Sequence, residues 1–272
     1  MTSTCSLNIV AARAQCLLLA GVVSLWSLPA VGQTGPERAS DKDVRALLEQ
    51  VDERRDKFEG NLDGDFKGST VPGPSGDTKV SAALQDYQDN TKKLKDRFTA
   101  KYSAGPEVAT VLKQSTRIDT FMKNSAVAMK GRSEWDRLSE TLKTLAAVYG
   151  TSFPTPEGAT LGRMNDAETA EAAGGVASAA KEFKHDLDKL TTLPAPEKDA
   201  AKKDVDLLIK QANAVKSRTS DGKPATDEMR QLVEQVNKLQ TFVAANPPPT
   251  MTNWQAVQTS LGKLQQAFRL TT

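Results

Sequence analysis

Two cysteines, one histidine and an aromatic content of 5% are a thin supply, over 272 residues, of the side chains on which many catalytic and metal sites are built. Cys5 and Cys16 both fall in the first sixteen residues. A Ser-His-Asp triad would have to use His185, and no G-x-S-x-G elbow offers the serine. The H-E-x-x-H zinc motif, and the paired Glu-x-x-His motifs of di-iron bundles, each need a second histidine. No C-x-x-C-H occurs for covalent haem, and His185, between Lys184 and Asp186, is expected on the surface. No metal or cofactor is therefore expected.

Charge of one sign is also lacking, with 36 Lys+Arg against 34 Asp+Glu. Nucleic-acid or anionic-membrane partners usually require a large basic excess, so neither is expected. The basic run Thr91 to Tyr102 is interrupted by Asp96 and preceded by Asp86 and Asp89, which suits a solvated helix face. The stretch Asn61 to Gly68 alternates oxygen ligands as a calcium loop does. Phe66 and Pro72 stand where an EF-hand needs Gly and Glu, so a flexible acidic loop is expected over 64–77.

Long apolar runs are confined to the N-terminus. Arg13 precedes an apolar stretch from about Cys16 to Leu28, followed by Ala30-Val31-Gly32, the pattern of a secretory signal peptide over 1–32. That stretch is shorter than the roughly 20 residues of a spanning helix, so no stable membrane insertion is expected after cleavage. Cleavage after Gly32 would remove both cysteines, leaving a periplasmic or extracellular chain without disulfides, a thiol nucleophile or Cys-based metal sites.

What is present is helical periodicity, written twice. Apolar positions recur at steps of three and four, the mark of a helix with one buried stripe. Trp135, Leu138, Leu142, Leu145 and Tyr149 are answered step for step by Trp254, Val257, Leu261, Leu264 and Phe268. Upstream, Val108, Val111, Ser115, Ile118 and Met122 are answered by Met229, Leu232, Val236, Leu239 and Val243, with Thr-Phe at Phe121 and again at Phe242. Before these, the stripe from Val80 to Phe98 lies over a weaker one from Ala201 to Thr219. At the front, Val51, Phe58 and Leu62 match Val176, Phe183 and Leu187.

The expected fold is all-α, two tandem antiparallel four-helix bundles produced by internal duplication. The copies span 33–152 and 166–272, with a linker at 153–165. Helices are expected near 40–62, 78–102, 106–124, 133–149, 166–191, 196–218, 226–245 and 252–269. Ser133-x-x-Asp136 and Thr252-x-x-Gln255 read as capping boxes, and Pro106 and Pro196 as first-turn prolines. The small-residue run Ala172 to Ala180 contains Gly174 and Gly175, which cost helix stability by about 1 kcal/mol each relative to Ala. A tight docking of the fifth helix should offset that cost.

The segment RIDTFM…W..L...L..LA..Y, Arg117 to Tyr149, resembles exported, helix-rich, uncharacterised proteins of soil bacteria. The second copy departs from it, with Gln240 for Asp119 and Val243 for Met122. The resemblance implies a compartment and carries no activity or catalytic residues.

Two function classes follow, neither enzymatic. The first, and the one the sequence favours, is an interaction or structural module whose partner is another protein or envelope component. The second is a small-molecule-binding bundle of sensor or carrier type. A cavity lined by convergent polar groups would favour the second; a filled core with a smooth apolar surface patch would favour the first.

Overall fold

A computed structural model describes residues 38–73, 76–124, 130–191, 193–248 and 251–270. The expected signal peptide, 1–32, lies outside these residues. The chain is predominantly helical: α1 (Asp41–Asn61), α2 (Gly64–Gly68), α3 (Val80–Arg97), α4 (Gly105–Asn124), α5 (Arg132–Val148), α6 (Asp166–Asp188), α7 (Ala195–Ser220), α8 (Thr226–Ala245) and α9 (Thr252–Phe268). Between α2 and α3, β1 (Thr70–Gly73) pairs antiparallel with β2 (Gly76–Lys79).

Two hydrophobic cores follow the chain in order. The first gathers Val51, Phe58, Leu62, Ile118, Trp135, Leu142, Leu145 and Tyr149 from α1, α4, α5 and their ends, joined by Tyr87 and Leu94 of α3. The second gathers Val176, Phe183, Leu187, Leu239, Trp254, Leu261, Leu264 and Phe268, with Val205 and Leu208 of α7. The repeated Thr-Phe is the exception. Phe121 and Phe242 are only half-buried, because Met122 and Val243 next to them continue the inward stripe. Phe121 instead meets Phe66 of α2, ring centroids 4.9 Å apart.

The segment expected as a flexible loop is ordered into α2 and the hairpin. Val71 is buried in the first core and Phe66 packs against it, so one turn of helix and a strand pair cover its edge. The expected second helix stops at Arg97, short of 102. Buried Phe98 leaves the helix in an extended conformation, and Thr99 and Tyr102 exchange backbone hydrogen bonds of 3.0 and 3.2 Å in a tight turn before α4.

The capping boxes also fall elsewhere. Ser133 and Thr252 lie inside the first turns of α5 and α9, whose caps are Gly131 and Met251 and make no side-chain cap bond. Gly131 has φ +89°, and a Cβ there would meet Leu62 Cδ2 at 3.3 Å and the Phe58 carbonyl at 3.5 Å. The start of α5 thus lies close to the end of α1, where a side chain at 131 would crowd Leu62 and be strained by the left-handed backbone. The true boxes open α1 and α6, at Ser40 with Asp43 and at Asn165 with Glu168. In α6 a Cβ on Gly175 would lie 3.0 Å from Ser260 Oγ of α9, so the small residues admit a close helix neighbour within the second core.

The two tryptophans are seated alike. Trp135 and Trp254 are 2% and 0% exposed, tilted against Phe58 and Phe183 at centroid distances of 5.1 and 5.0 Å. Their indole N–H groups donate to Asp119 Oδ1 at 3.1 Å and Gln240 Oε1 at 2.7 Å. The acceptors differ in consequence. Asp119 is a buried carboxylate whose other oxygen lies 2.6 Å from Lys123 Nζ, whereas Gln240 is a half-buried neutral amide that also accepts from Gln258. Trp135→Phe is therefore expected to cost about 2–3 kcal/mol and Trp254→Phe about 1 kcal/mol, since a hydrogen bond to a buried charge is worth more than one to a neutral amide. Urea denaturation of the two variants checks the order.

Candidate functional site

The same short pattern precedes α1 and α6: Arg38-Ala39-Ser40-Asp41 and Arg163-Met164-Asn165-Asp166. In each, an arginine stands two residues before the N-cap and an aspartate one residue after it. A helix N-terminus carries free N–H groups and a partial positive charge. Here each aspartate serves the other helix. Asp41 N–H donates to Asp166 Oδ2 at 2.9 Å, and Asp166 N–H donates to Asp41 Oδ2 at 3.2 Å.

The arginines complete the exchange. Arg38 donates to Asp166 Oδ1 at 2.7 Å and to the Met164 carbonyl at 3.2 Å. Arg163 lies 2.7 Å from Asp41 Oδ1 and donates to the Ala39 carbonyl at 3.0 Å. The relation is reciprocal, as in a two-fold interface between identical subunits, although both halves belong to one chain. All four side chains are withdrawn from water, with 15% exposure at most. Removing four such charges from water is costly, and the pairing together with the backbone contacts offsets it. Burial pulls the Arg38 pKa below its usual value, against the opposing pull of Asp166.

Beside this clasp lies a cleft of about 520 Å³. Its walls are the approaches to α1 and α6 and the ends of α5 and α9. Ala147, Val148, Ala267, Phe268 and Met164 supply apolar surface, while Arg38, Arg163, Arg269 and Glu168 supply charge. Arg38 sits over the Phe268 ring, 5.9 Å from its centroid. Glu168 is held by its capping box, accepting the Asn165 N–H at 2.8 Å. Arg269 closes α9 in a left-handed conformation and donates to the Val148 carbonyl at the end of α5. Its pKa is lowered by burial and then by the nearby Arg163.

Of the packing residues singled out in the sequence, Phe268 borders this cleft and the others are placed in or against the two cores. The tryptophans are core residues. His185 is exposed on α6. Among the described residues, no group of three or more His, Cys, Asp or Glu could hold a metal ion, and no helix is long and apolar enough to cross a membrane. The arginines escaped the sequence reading because they lie in connections outside the apolar stripes. The Arg-x-x-Asp spacing repeated before two helices was the available signal.

Comparison with protein families, curated proteins and solved structures finds no match.

Breaking one member of a buried pair leaves its partner uncompensated. Asp41→Asn or Arg163→Met alone is expected to cost about 3–5 kcal/mol, and the double variant clearly less than the sum of the two. A double-mutant cycle by chemical denaturation measures this coupling.

Proposed function

We propose that this chain is an exported, non-enzymatic helical protein, built by duplication of a four-helix unit, that binds a small molecule where the two units meet. The cleft carries the reading: about 520 Å³, within the range of small-molecule sites, with three guanidinium groups converging over apolar walls. This is the convergent polar lining that favours a binding bundle over an interaction module. A docking surface would need an apolar patch, and among the described residues Leu207 is the one exposed large hydrophobic side chain.

Duplication is supported by features beyond the apolar stripes. The Phe-Trp pairs, the indole acceptors Asp119 and Gln240, the capping boxes and the Arg-x-x-Asp segments all occur once per unit. Units at 33–152 and 166–272 accommodate the Phe-Trp pairs and the indole acceptors, while Arg163 and the cap Asn165 of the second set stand at the end of the connection, 153–165. That connection is docked: Phe153 is buried in the first core, and Thr155 N–H donates to Thr116 at 3.0 Å. Export rests on the apolar leader at 1–32 and places the protein in the periplasm or outside the cell, in keeping with its resemblance to exported helix-rich proteins. A binding role suits the cleft better than catalysis, because its carboxylate, Glu168, is engaged by the Asn165 backbone N–H in a capping box.

The test is native mass spectrometry of the exported protein beside an Ala147→Trp variant, in which an exposed cleft wall is filled. The expected result is a drug-sized non-covalent adduct on the parent that is lost from the variant. A parent that carries no small molecule, yet co-purifies stoichiometrically with another envelope protein, would restore the interaction module.

A further inference from the structure

Three guanidinium groups border the cleft, and two are already committed. Arg38 is spent on Asp166 and the Met164 carbonyl, and Arg163 on Asp41 and the Ala39 carbonyl. Arg269 differs. Its side-chain contact is the Val148 carbonyl, which uses one of the five N–H donors a guanidinium carries. No carboxylate is paired with it among the described residues.

The backbone at Arg269 is also unusual. With φ +51° it holds the left-handed position that ends α9, where glycine is the ordinary choice. A non-glycine residue is strained there, and such strain persists when the surroundings or a function hold the residue in place. The consequence is that its guanidinium is carried across from α9 to the end of α5, beside Gly150, where a Cβ would lie 3.6 Å from Arg269 Nη2. Burial and then the neighbouring Arg163 lower the Arg269 pKa.

We infer that the cleft takes a monocarboxylate with an apolar body, and that Arg269 receives the carboxylate. The inference rests on the cleft being the binding site. The planar guanidinium fork matches a carboxylate in a bidentate pair. A single uncommitted cation suits a single negative charge, while Glu168 on the same wall disfavours a dianion such as a phosphate monoester. A bare inorganic anion would leave most of the volume empty and the surfaces of Val148, Ala267 and Phe268 uncovered.

Isothermal titration of the full chain without its leader, using phenylacetate, 4-phenylbutyrate, octanoate and decanoate, each beside its neutral alcohol, tests this. Arg269→Gln removes the charge; Arg269→Gly removes the side chain and relieves the left-handed strain, so its thermal midpoint should not fall. At least one acid should bind more tightly than its alcohol, and both variants should weaken that acid about tenfold or more while leaving the alcohol unchanged. Acid and alcohol binding alike, with Ala147→Trp abolishing both, would overturn the carboxylate assignment and leave the binding cleft standing. No binding by any probe, with Ala147→Trp without effect, would overturn both. Acid binding that survives loss of Arg269 would overturn the role of that residue.

Discussion

The N-termini of α1 and α6 meet, and two partial positive charges would repel there if nothing lay between them. Asp41 and Asp166 lie between them, each accepting the first free N–H of the opposite helix, and Arg38 and Arg163 balance the carboxylates from behind. Because every partner in this exchange is supplied by the other half, neither half can satisfy it alone. The ends of α5 and α9 then fall on either side of the clasp, and the space left beside it is the cleft.

Away from the junction, the two cores reach stability by different routes. In α1 the Arg55 side chain is 4% exposed, flanked by Asp52 and Asp56 at 2.6 Å each, with Lys95 also 2.6 Å from Asp52. Burial opposes the charge on Arg55 most strongly, but these acids prevail and hold its pKa above the usual value. The matching face of α6 carries Ala177 and Ala180, both buried, and needs no such compensation. That helix can therefore be approached closely, as Gly175 and Ser260 illustrate. A polar network fixes geometry through directional bonds, and a small-residue face fixes it through contact distance.

The helices were legible because each buries one stripe, and a stripe of period near 3.5 is written directly into the order of residues. Trp135 and Trp254 stood out for the same reason. The hairpin was not legible, since Thr70 to Lys79 contains Pro and Gly that read as breakers, and only packing of Val71 and Phe66 against the first core makes the segment ordered. The caps of α5 and α9 were misassigned because a Ser or Thr near a helix start is a good cap only if the chain turns there. At α5 contact with Phe58 and Leu62 moved the turn to Gly131. The cleft was hidden for a deeper reason. Arg38 and Arg163 carry one faint mark along the chain, the repeated Arg-x-x-Asp spacing, and its meaning arises only when residues about 125 positions apart are brought together.

The central claim is that the arginine–aspartate exchange, and not the stretch 153–162 that precedes Arg163 in the connection, fixes one core against the other. Pulsed electron-spin distance measurement tests it most directly, with labels on cysteines introduced at the exposed positions Lys93 and Lys203 in a chain that begins at Gln33 and hence lacks Cys5 and Cys16. The comparison is a variant in which Arg38→Met, Arg163→Met, Asp41→Asn and Asp166→Asn neutralise all four groups together, so that no buried charge is left unpaired. The parent is expected to give one narrow distance distribution and the variant a broad one, with helical content unchanged by circular dichroism. An equally narrow distribution at the same distance in the variant would contradict it.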